Sequence, residues 1–491
     1  MHTGLNGLDL AVVVAYLAGV TVFGLRFRKH QRSLKDYFLA DKSIPWWALS
    51  LSIVAAETST LTIISVPGLA YETDFRFLQL VFGYVVGRVV VSVVLIPQYF
   101  RGELLTAYQL IDRRFGQRLR SITAGLFLIT RAAAEGVRVY AVAIVVAIAL
   151  SSMLEGMTSL SRDLCAIAIV TLLTLIYTFE GGIAAVVWTD VVQLTIYLAG
   201  TLIGLLTILE FVPGGMGTVL SIGSQTGKFR VFDFSWNFYS TYTFWSGVIG
   251  GTFLTTATHG TDQLIVQRLL SARGEFQSKL GLISSGVAVF AQFVLFLFMG
   301  AALFVFYQLY PPPIPFTRAD AIFPTFVVTQ LPHGISGFLV SAILAAAMSN
   351  LSAALNSLSS TTVVDFYTRF RPEATEQHRV RVSRVATVAW ALVLFALAIF
   401  ARQGGRVLEV GLSIAGVSYG CLLGVFLLGV LTRSASERGA TIGMLAGFLL
   451  NVYLWTSTRV PFTWYFALGS LATFAVGYVV SIIDLHSQLK A

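Results

Sequence analysis

The sequence predicts an all-α polytopic membrane protein with about 13 transmembrane helices. Three observations support this: 56% of the 491 residues are hydrophobic and only 12% charged, apolar runs recur along the whole chain, and basic residues fall in the short loops between them. A soluble domain carries roughly 25% charged residues, so lipid must act as the solvent for much of this apolar surface. The net charge of +9 gathers in no single patch, so we expect no nucleic-acid partner.

Each predicted helix is an apolar run long enough to cross roughly 30 Å of hydrocarbon. The thirteen runs cover residues 8–25, 46–70, 76–99, 121–150, 164–179, 183–210, 241–266, 280–307, 336–360, 384–401, 407–431, 439–456 and 463–483. Basic residues follow the first run instead of preceding it, which is the reverse of a signal peptide. We therefore expect this run to be retained as a helix.

The distribution of lysine and arginine predicts the orientation. If the N-terminus lies outside, 22 of the 33 Lys and Arg residues fall in cytoplasmic loops. This agrees with the positive-inside rule. One missed helix would move every later loop to the other side of the membrane, so the agreement also supports the number of helices. We expect a multi-pass protein of the cell membrane, with its N-terminus outside and its C-terminus in the cytoplasm.

The run 46–70 carries polar residues near the expected centre of the bilayer. Glu57 is followed there by the hydroxyl residues Thr58, Ser59 and Thr60. A carboxylate at this depth is costly and marks a candidate functional site. It suits a locally unwound segment whose carbonyl groups face a ligand. The alternative is that the hydroxyls bond to their own helix while Glu57 pairs with a neighbour.

The run 336–360 has a polar pair among small residues. Ala346, Ser349 and Ala353 share one helical face. Small residues at this spacing allow two helices to approach closely, which is the structural interpretation. Ser349 and Asn350 also provide oxygen ligands of the kind that an alkali cation prefers, so both interpretations stay open.

The run 121–150 carries Arg131, Glu135 and Arg138 on one face. In hydrocarbon such residues must turn inward and pair. One interpretation is a structural ion-pair network, and the other is that Arg138 binds an anionic group of a substrate. The same question is raised at other helix faces and ends by Arg88, Asp190, His259 and Asp262.

The chain has no Gly-rich phosphate-binding loop, which argues against an ATP-driven pump. It also has no arrangement of nucleophile and base that would make it an enzyme, and we predict no catalytic residues. A secondary transporter is the leading interpretation. A membrane sensor, or a channel-like protein without coupled transport, is the alternative from a different class.

Several stretches, in order along nearly the whole chain, resemble the sodium:solute symporter family. They are Asp36-Tyr37-Phe38-Leu39-Ala40, Asp112-Arg113-Arg114-Phe115-Gly116, the run from Gly181 to Gln193, Thr261-Asp262-Gln263 and Leu355-Asn356-Ser357. The resemblance implies a single transporter domain with a LeuT-type core of two inverted five-helix repeats. These repeats would be 46–210 and 241–431, with an extra helix at 8–25 and two more at 439–483. Broken helices, 46–70 and 241–266, would open the two repeats.

The resemblance also implies a sodium site between the first and eighth core helices. Its carbonyl ligands match Ala55, Thr58 and Ala346, and its side-chain ligands match Ser349 and Asn350, where the family usually has a hydroxyl residue at the second of these positions. A second sodium in some members would match Asp190 and Ser352, although Ala353 replaces a hydroxyl there. Asp190 could instead stabilise the helix junction.

The resemblance implies a sodium-coupled symporter that imports a small organic solute by alternating access. We predict that the solute contacts polar residues of the core: Glu57, Ser59, Thr62, Gln79, Arg138, Thr258 and His259. Val289 and Leu412 stand where the sugar-carrying branch has Lys and Gln, which weakens the alternative of a sodium/sugar cotransporter. A carboxylate-bearing solute, such as an amino acid, a monocarboxylate or sialic acid, is favoured. Glu57 counts against an anion unless an arginine pairs with it. We expect the protein to work as a monomer in the lipid bilayer.

Overall fold

The structure is a computed structural model that describes residues 4–25, 42–101, 107–177, 183–312, 315–367, 370–403 and 405–490. These residues form helices joined by turns and loops. Within the described ranges the sole β-type pairing is an isolated bridge between Ile44 and Ala272. The predicted all-α fold class is therefore confirmed.

Eighteen helices are numbered here in chain order. They are α1 (Gly7–Leu25), α2 (Trp46–Glu57), α3 (Thr60–Glu72), α4 (Leu78–Phe100), α5 (Tyr108–Phe115), α6 (Gln117–Ala149), α7 (Ser159–Tyr177), α8 (Ile183–Phe211), α9 (Gly215–Gln225), α10 (Phe244–Thr261), α11 (Gln263–Leu270), α12 (Glu275–Leu309), α13 (Ile322–Gln330), α14 (Ile335–Thr361), α15 (Glu376–Ala401), α16 (Val407–Leu431), α17 (Glu437–Ser457) and α18 (Phe462–Lys490). Helix α4 contains a π-helical turn at Val91–Leu95.

Each of the thirteen predicted runs contains a described helix. Among the described residues, eight helices are long and apolar enough to cross a membrane, and nine if the bent pair α2 and α3 counts as one span. The described parts of the remaining helices do not meet both the length and the hydropathy conditions. The count of thirteen spans therefore stays a prediction.

Helices α4 and α10 cross at backbone contact. A Cβ atom added to Gly251 would lie 2.3 Å from the carbonyl oxygen of Leu80, and one added to Gly247 would lie 2.8 Å from the carbonyl carbon of Gln79. Only glycine allows so close an approach of two helices. These glycines therefore serve packing, and the break of the second broken helix falls beyond them, at Asp262.

Helix α1 is fastened to the start of α14 by one carboxylate. The side chain of Asp9 is fully buried and accepts hydrogen bonds from the amides of Gly334 (2.6 Å) and Gly337 (3.1 Å). It also lies 2.6 Å from Nδ1 of His333. The amides at the start of a helix lack partners within the helix, so a carboxylate placed there satisfies them. This contact fixes the helix that carries the predicted sodium ligands.

The junction of α2 and α3 lies deep in the protein. Helix α12 packs along both α2 and α3, and α8 packs against α2. All residues of α3 up to Ala70 are buried. The polar residues at this junction are therefore removed from lipid and face other helices.

Candidate functional site

The first broken helix is interrupted between Glu57 and Thr60, where the axes of α2 and α3 differ by 67°. The amide of Ser59 donates to the carbonyl of Glu57 (3.0 Å) and not to that of Ala55, four residues back. The carbonyl of Ala55 therefore lacks the donor that a continuing helix would supply. Consecutive hydroxyl residues favour such a break, because their side chains compete with the backbone for hydrogen bonds.

Thr58 is held in place by a residue of α12. Its Oγ1 donates to the carbonyl of Val54 (2.7 Å) and accepts from Nε2 of Gln292 (2.7 Å). The other amide atom, Oε1 of Gln292, is buried without a hydrogen-bond donor, and so is Oγ1 of Thr60. Buried oxygens without a donor are uncommon and costly. They leave acceptor capacity at the break that a cation can use.

Glu57 is paired with an arginine. Arg88 of α4 is buried, and its guanidinium donates to Oε2 of Glu57, to Oγ of Ser285 (3.0 Å) and to the carbonyl of Tyr84 (3.1 Å). Nε2 of His259 lies 3.6 Å from the same carboxylate oxygen. The structural alternative for Glu57, a paired carboxylate, therefore describes its surroundings.

The charged stripe of α6 forms a second cluster. Oε1 of the fully buried Glu135 lies 2.5 Å from Nη1 of Arg138 and 3.0 Å from Nε of Arg131. Arg131 also lies 3.7 Å from the carboxylate of Asp262, which accepts a hydrogen bond from the hydroxyl of Tyr419. The side chain of Arg138 keeps 32% of its surface exposed. It is thus both an ion-pair partner of Glu135 and the accessible end of the cluster.

Asp190 belongs to a third cluster. Its Oδ2 accepts from Oγ of Ser52 (2.6 Å) and from Nη2 of Arg268 (2.9 Å). Nε of Arg268 donates to the same serine oxygen (2.9 Å), which closes a triangle between α2, α8 and α11. The carboxylate predicted to hold a second sodium thus already has a cationic partner, and this geometry favours the alternative that it stabilises the helix junction.

The other predicted solute residues differ in their surroundings. Ser59 and Thr62 are buried one turn apart at the start of α3. Thr258 is half-buried, and its Oγ1 lies 3.0 Å from Nδ1 of His259. Gln79 is fully buried, and its side chain bonds to the carbonyls of residues 76 and 242 and to the amide of residue 233. Gln79 therefore has its hydrogen-bonding capacity taken up by protein.

The predicted sodium ligands on α14 are described only in part. The side chains of Ala346 and Ser349 lie outside the described residues, whereas Asn350 is half-buried and Ser352 is buried. No group of three or more His, Cys, Asp or Glu side chains that could hold a metal ion occurs in the described part of the chain. An ion here would depend on carbonyl, hydroxyl and amide oxygens, which suit an alkali cation.

The sequence alone missed several partners of these residues. Gln292, Ser52, Arg268 and Tyr419 each contact a predicted residue from a distant part of the chain. An amide in the apolar run 280–307 was a signal for the first of them. Lys228 was also missed: its Nζ donates to the carbonyls at the end of α3, and desolvation by burial lowers the pKa of its ammonium group.

The profile of the sodium:solute symporter family matches residues 37–447. The chain belongs to this family. This symporter is 29% identical over 484 residues to the sodium/sialic acid symporter NanT of Aliivibrio fischeri, covering 96% of this chain and 93% of the relative. It is 27% identical to the sodium-coupled monocarboxylate transporter 1 of Homo sapiens, covering 88% and 70%.

Solved structures agree with this assignment. A substrate-bound, outward-open Na⁺-coupled sialic acid symporter superposes on this symporter with a TM-score of 0.82 and 26% identity, over 97% of this chain and 98% of the other. The transporter Mhp1 superposes with a TM-score of 0.55 at 15% identity, over 92% of this chain and 94% of the other, and supports the fold. The chain is a multi-pass membrane transporter and not an enzyme. Sodium is its coupling ion. The family and structure matches therefore confirm the predicted family, fold and sodium-coupled symport.

Proposed function

We propose that this symporter uses sodium to import a small carboxylate-bearing organic solute by alternating access through the break between α2 and α3. The observation that carries the proposal is the break itself, with its freed carbonyl at Ala55 and its buried oxygens without donors. Broken helices near the bilayer centre are the usual place for a substrate and its coupling ion in transporters. The relatives that transport sialic acid or monocarboxylates support the choice of solute class.

The proposed sodium site combines the break with α14. Its ligands are the carbonyls of Ala55, Thr58 and Ala346 and the side-chain oxygens of Ser349 and Asn350. The hydrogen bond from Gln292 holds the side chain of Thr58 in place beside the carbonyl of the same residue. A second sodium at Asp190 and Ser352 would require Arg268 to leave the carboxylate, so the proposal assigns one sodium to the first site.

The proposed solute site lies beside this ion. Ser59 and Thr62 supply hydroxyl donors at the start of α3, and Arg138 supplies a cation for the carboxylate. Thr258 and His259 would line the opposite side. The like charge of Glu57 is not an obstacle, because Arg88 neutralises it. Gln79 would contribute only by shaping the site.

We further propose the arrangement of the whole chain. The inverted repeats would be 46–210 and 241–431, flanked by the helix 8–25 and by two helices within 439–483. The charge distribution supports an outside N-terminus and a cytoplasmic C-terminus in the cell membrane. One chain would carry a complete transport path within the lipid bilayer and work as a monomer.

Uptake into proteoliposomes tests the function. A panel of sialic acid, monocarboxylates, amino acids and sugars is offered with an inward sodium gradient and with choline in its place. We expect uptake of a carboxylate-bearing solute only with sodium. Equal uptake with sodium and with choline would overturn symport. Sodium-dependent uptake of a neutral sugar, with no uptake of any carboxylate-bearing solute, would overturn the solute class.

Two variants locate the ion. Ser349→Ala and Asn350→Ala should each raise the sodium concentration for half-maximal uptake, because loss of one oxygen ligand costs about 1–3 kcal/mol, or roughly 5- to 150-fold. Ser341→Ala on the same helix is the matched control, since among the described residues its hydroxyl bonds to the carbonyl of Gly337 alone. Unchanged sodium dependence in both variants would place the ion elsewhere.

A further inference from the structure

The segment between α9 and α10 exposes a row of aromatic side chains. Phe232, Phe234 and Trp236 stand at every second position of a loop and keep 49%, 61% and 71% of their surface exposed. Trp245, in the first turn of α10, is 39% exposed. These four residues are called the aromatic stripe.

The aromatic stripe is an ordered structure. The rings of Phe232 and Phe234 stack at 5.5 Å and 6°, and Trp236 packs on Trp245 at 5.4 Å. The indole of Trp245 also donates to the carbonyl of Phe234 (3.3 Å). Each large apolar ring is thus held in its exposed position by another member of the stripe.

The charges beside the stripe are neutralised. Asp233 lies between two of its members, but its carboxylate is only 14% exposed and lies 3.3 Å from Arg76 and 3.6 Å from Arg230. A charge that is paired and turned from the surface does not oppose contact with an apolar medium as a free charge would. The exposed surface of the stripe is therefore aromatic.

The stripe continues a surface that faces lipid. Phe232 stacks at 5.9 Å on Phe82 of α4, a helix long and apolar enough to span the membrane. Farther along α4, Val86, Val89 and Val93 are exposed by 45%, 46% and 67%. In a membrane transporter this apolar face meets acyl chains.

The place where the stripe joins this face indicates its depth. Phe82 stands four residues after the start of α4, which is about 6 Å along the helix axis. The start of a membrane-spanning helix lies near the boundary between lipid headgroups and hydrocarbon. Trp and other amphipathic aromatic residues prefer this boundary. A soluble protein could also bind these exposed rings. Binding to such a protein would not explain why the rings continue the lipid-facing side of α4.

We propose that residues 231–245 form an interfacial anchor, with the aromatic stripe inserted among the lipid headgroups at the end of the membrane where α4 begins. The anchor binds the bilayer interface and no second protein. It rests on the membrane-spanning assignment of the chain and is independent of the solute class.

Cysteine labelling in lipid vesicles tests the anchor. Cys165 and Cys421 are replaced by Ala, and an environment-sensitive fluorophore is placed at Phe234→Cys or Trp236→Cys. Gln225→Cys, exposed at the end of α9, is the matched control. Phosphatidylcholine vesicles carry either spin-labelled lipids, with the spin label near the headgroup, or iodide in the surrounding buffer as quencher.

We expect lipid quenching and loss of iodide accessibility at both stripe positions, with the opposite result at Gln225→Cys. Iodide quenching at the stripe equal to that at Gln225→Cys would overturn the anchor. Protection from both quenchers, together with energy transfer between labelled copies, would overturn it in favour of contact with a second copy of the chain.

Discussion

The two broken helices of this symporter differ in how the free backbone and hydroxyl groups at their breaks are hydrogen-bonded. At the second break, Asp262 caps α11 by accepting from the amide of Leu264 (2.8 Å), and its other oxygen accepts from Tyr419. At the first break, Ser59 precedes α3 without a side-chain cap. The hydroxyl of Thr60 also lacks a hydrogen-bond partner. The second break satisfies itself with protein groups, whereas the first keeps capacity for a ligand.

This difference separates two meanings of a break. A helix end needs partners for its free amides and carbonyls. When the chain supplies these partners, the break fixes a bend and needs no ion. When the chain does not supply these partners, a ligand can supply them. Such a break binds that ligand more tightly than a continuous helix would, because the backbone groups of a continuous helix are already hydrogen-bonded. Four substitutions test whether the distinction holds.

The largest effect is expected at the ion pair beside the first break. Arg88→Gln leaves Glu57, whose side chain is only 16% exposed, without its cation, which should destabilise the protein by up to about 3–5 kcal/mol. Thermal unfolding in detergent measures the loss. A double variant that adds Glu57→Gln should recover most of it.

The control for this ion pair is an exposed one. Arg438 is 75% exposed and lies 3.3 Å from Asp484, so Arg438→Gln should cost less than about 1 kcal/mol. A loss in Arg88→Gln no larger than in this control would show that the charge of Glu57 is compensated elsewhere. Arg88 would then not be needed to neutralise the carboxylate beside the first break.

The next effect concerns Arg138, at the exposed end of the cluster that leads to the second break. Glu135 keeps Arg131 when Arg138→Gln is made, so the stability loss should be smaller than for Arg88→Gln. If Arg138 holds the solute carboxylate, losing a charge-assisted hydrogen bond costs about 1.5–3 kcal/mol, or roughly 10- to 150-fold in affinity. Solute binding measured by calorimetry in sodium should fall accordingly, while sodium binding alone is kept.

Two outcomes would contradict this role of Arg138. Normal solute binding together with normal stability would remove it from the solute site and show that Glu135 needs only Arg131. A drop in melting temperature as large as for Arg88→Gln, reversed by removing the carboxylate of Glu135, would make the arginine purely structural.

A smaller effect is expected at the second break. Asp262→Ala removes the cap of α11, a loss that alone costs about 0.5–2 kcal/mol, and it also removes the acceptor of the Tyr419 hydroxyl. Asp262→Asn keeps a capping oxygen and should be the more stable of the two. Chemical denaturation measures the difference. Altered sodium dependence of uptake with unchanged stability would mean that the second break also serves the ion.

The smallest effect is expected at Thr60. Thr60→Val removes a buried hydroxyl that has no partner, so the stability without sodium should change by less than about 0.5 kcal/mol or rise. Melting in choline buffer measures it. A loss above about 1 kcal/mol would reveal a hydrogen bond of this hydroxyl and weaken the contrast between the breaks.

The sequence could predict the first break because its cause is local. Glu57, Thr58 and Ser59 are adjacent, and a carboxylate with hydroxyls at bilayer depth is incompatible with a lipid-facing helix. The charged cluster of Arg131, Glu135 and Arg138 could be predicted for the same reason, since helical spacing places these residues on one face. Such features depend on neighbours within two turns.

The partners from other helices could not be predicted in this way. The contact of Glu57 with Arg88 joins two helices, and that of Thr58 with Gln292 joins residues 234 positions apart. No periodicity within one run contains this information, because it arises only when the helices are packed. The sequence therefore proposes candidate site residues, but it could not show which of them are paired with residues of other helices.

The crossing of α4 and α10 has a consequence for the speed of transport. At Gly247 and Gly251, α10 has no side chain that must change its rotamer when the two helices shift. The joint can therefore move at these two positions with little internal friction. The slow steps of the cycle should then lie at the buried ion pairs, where charges have to exchange partners, and the turnover rate should respond to those residues more than to this joint.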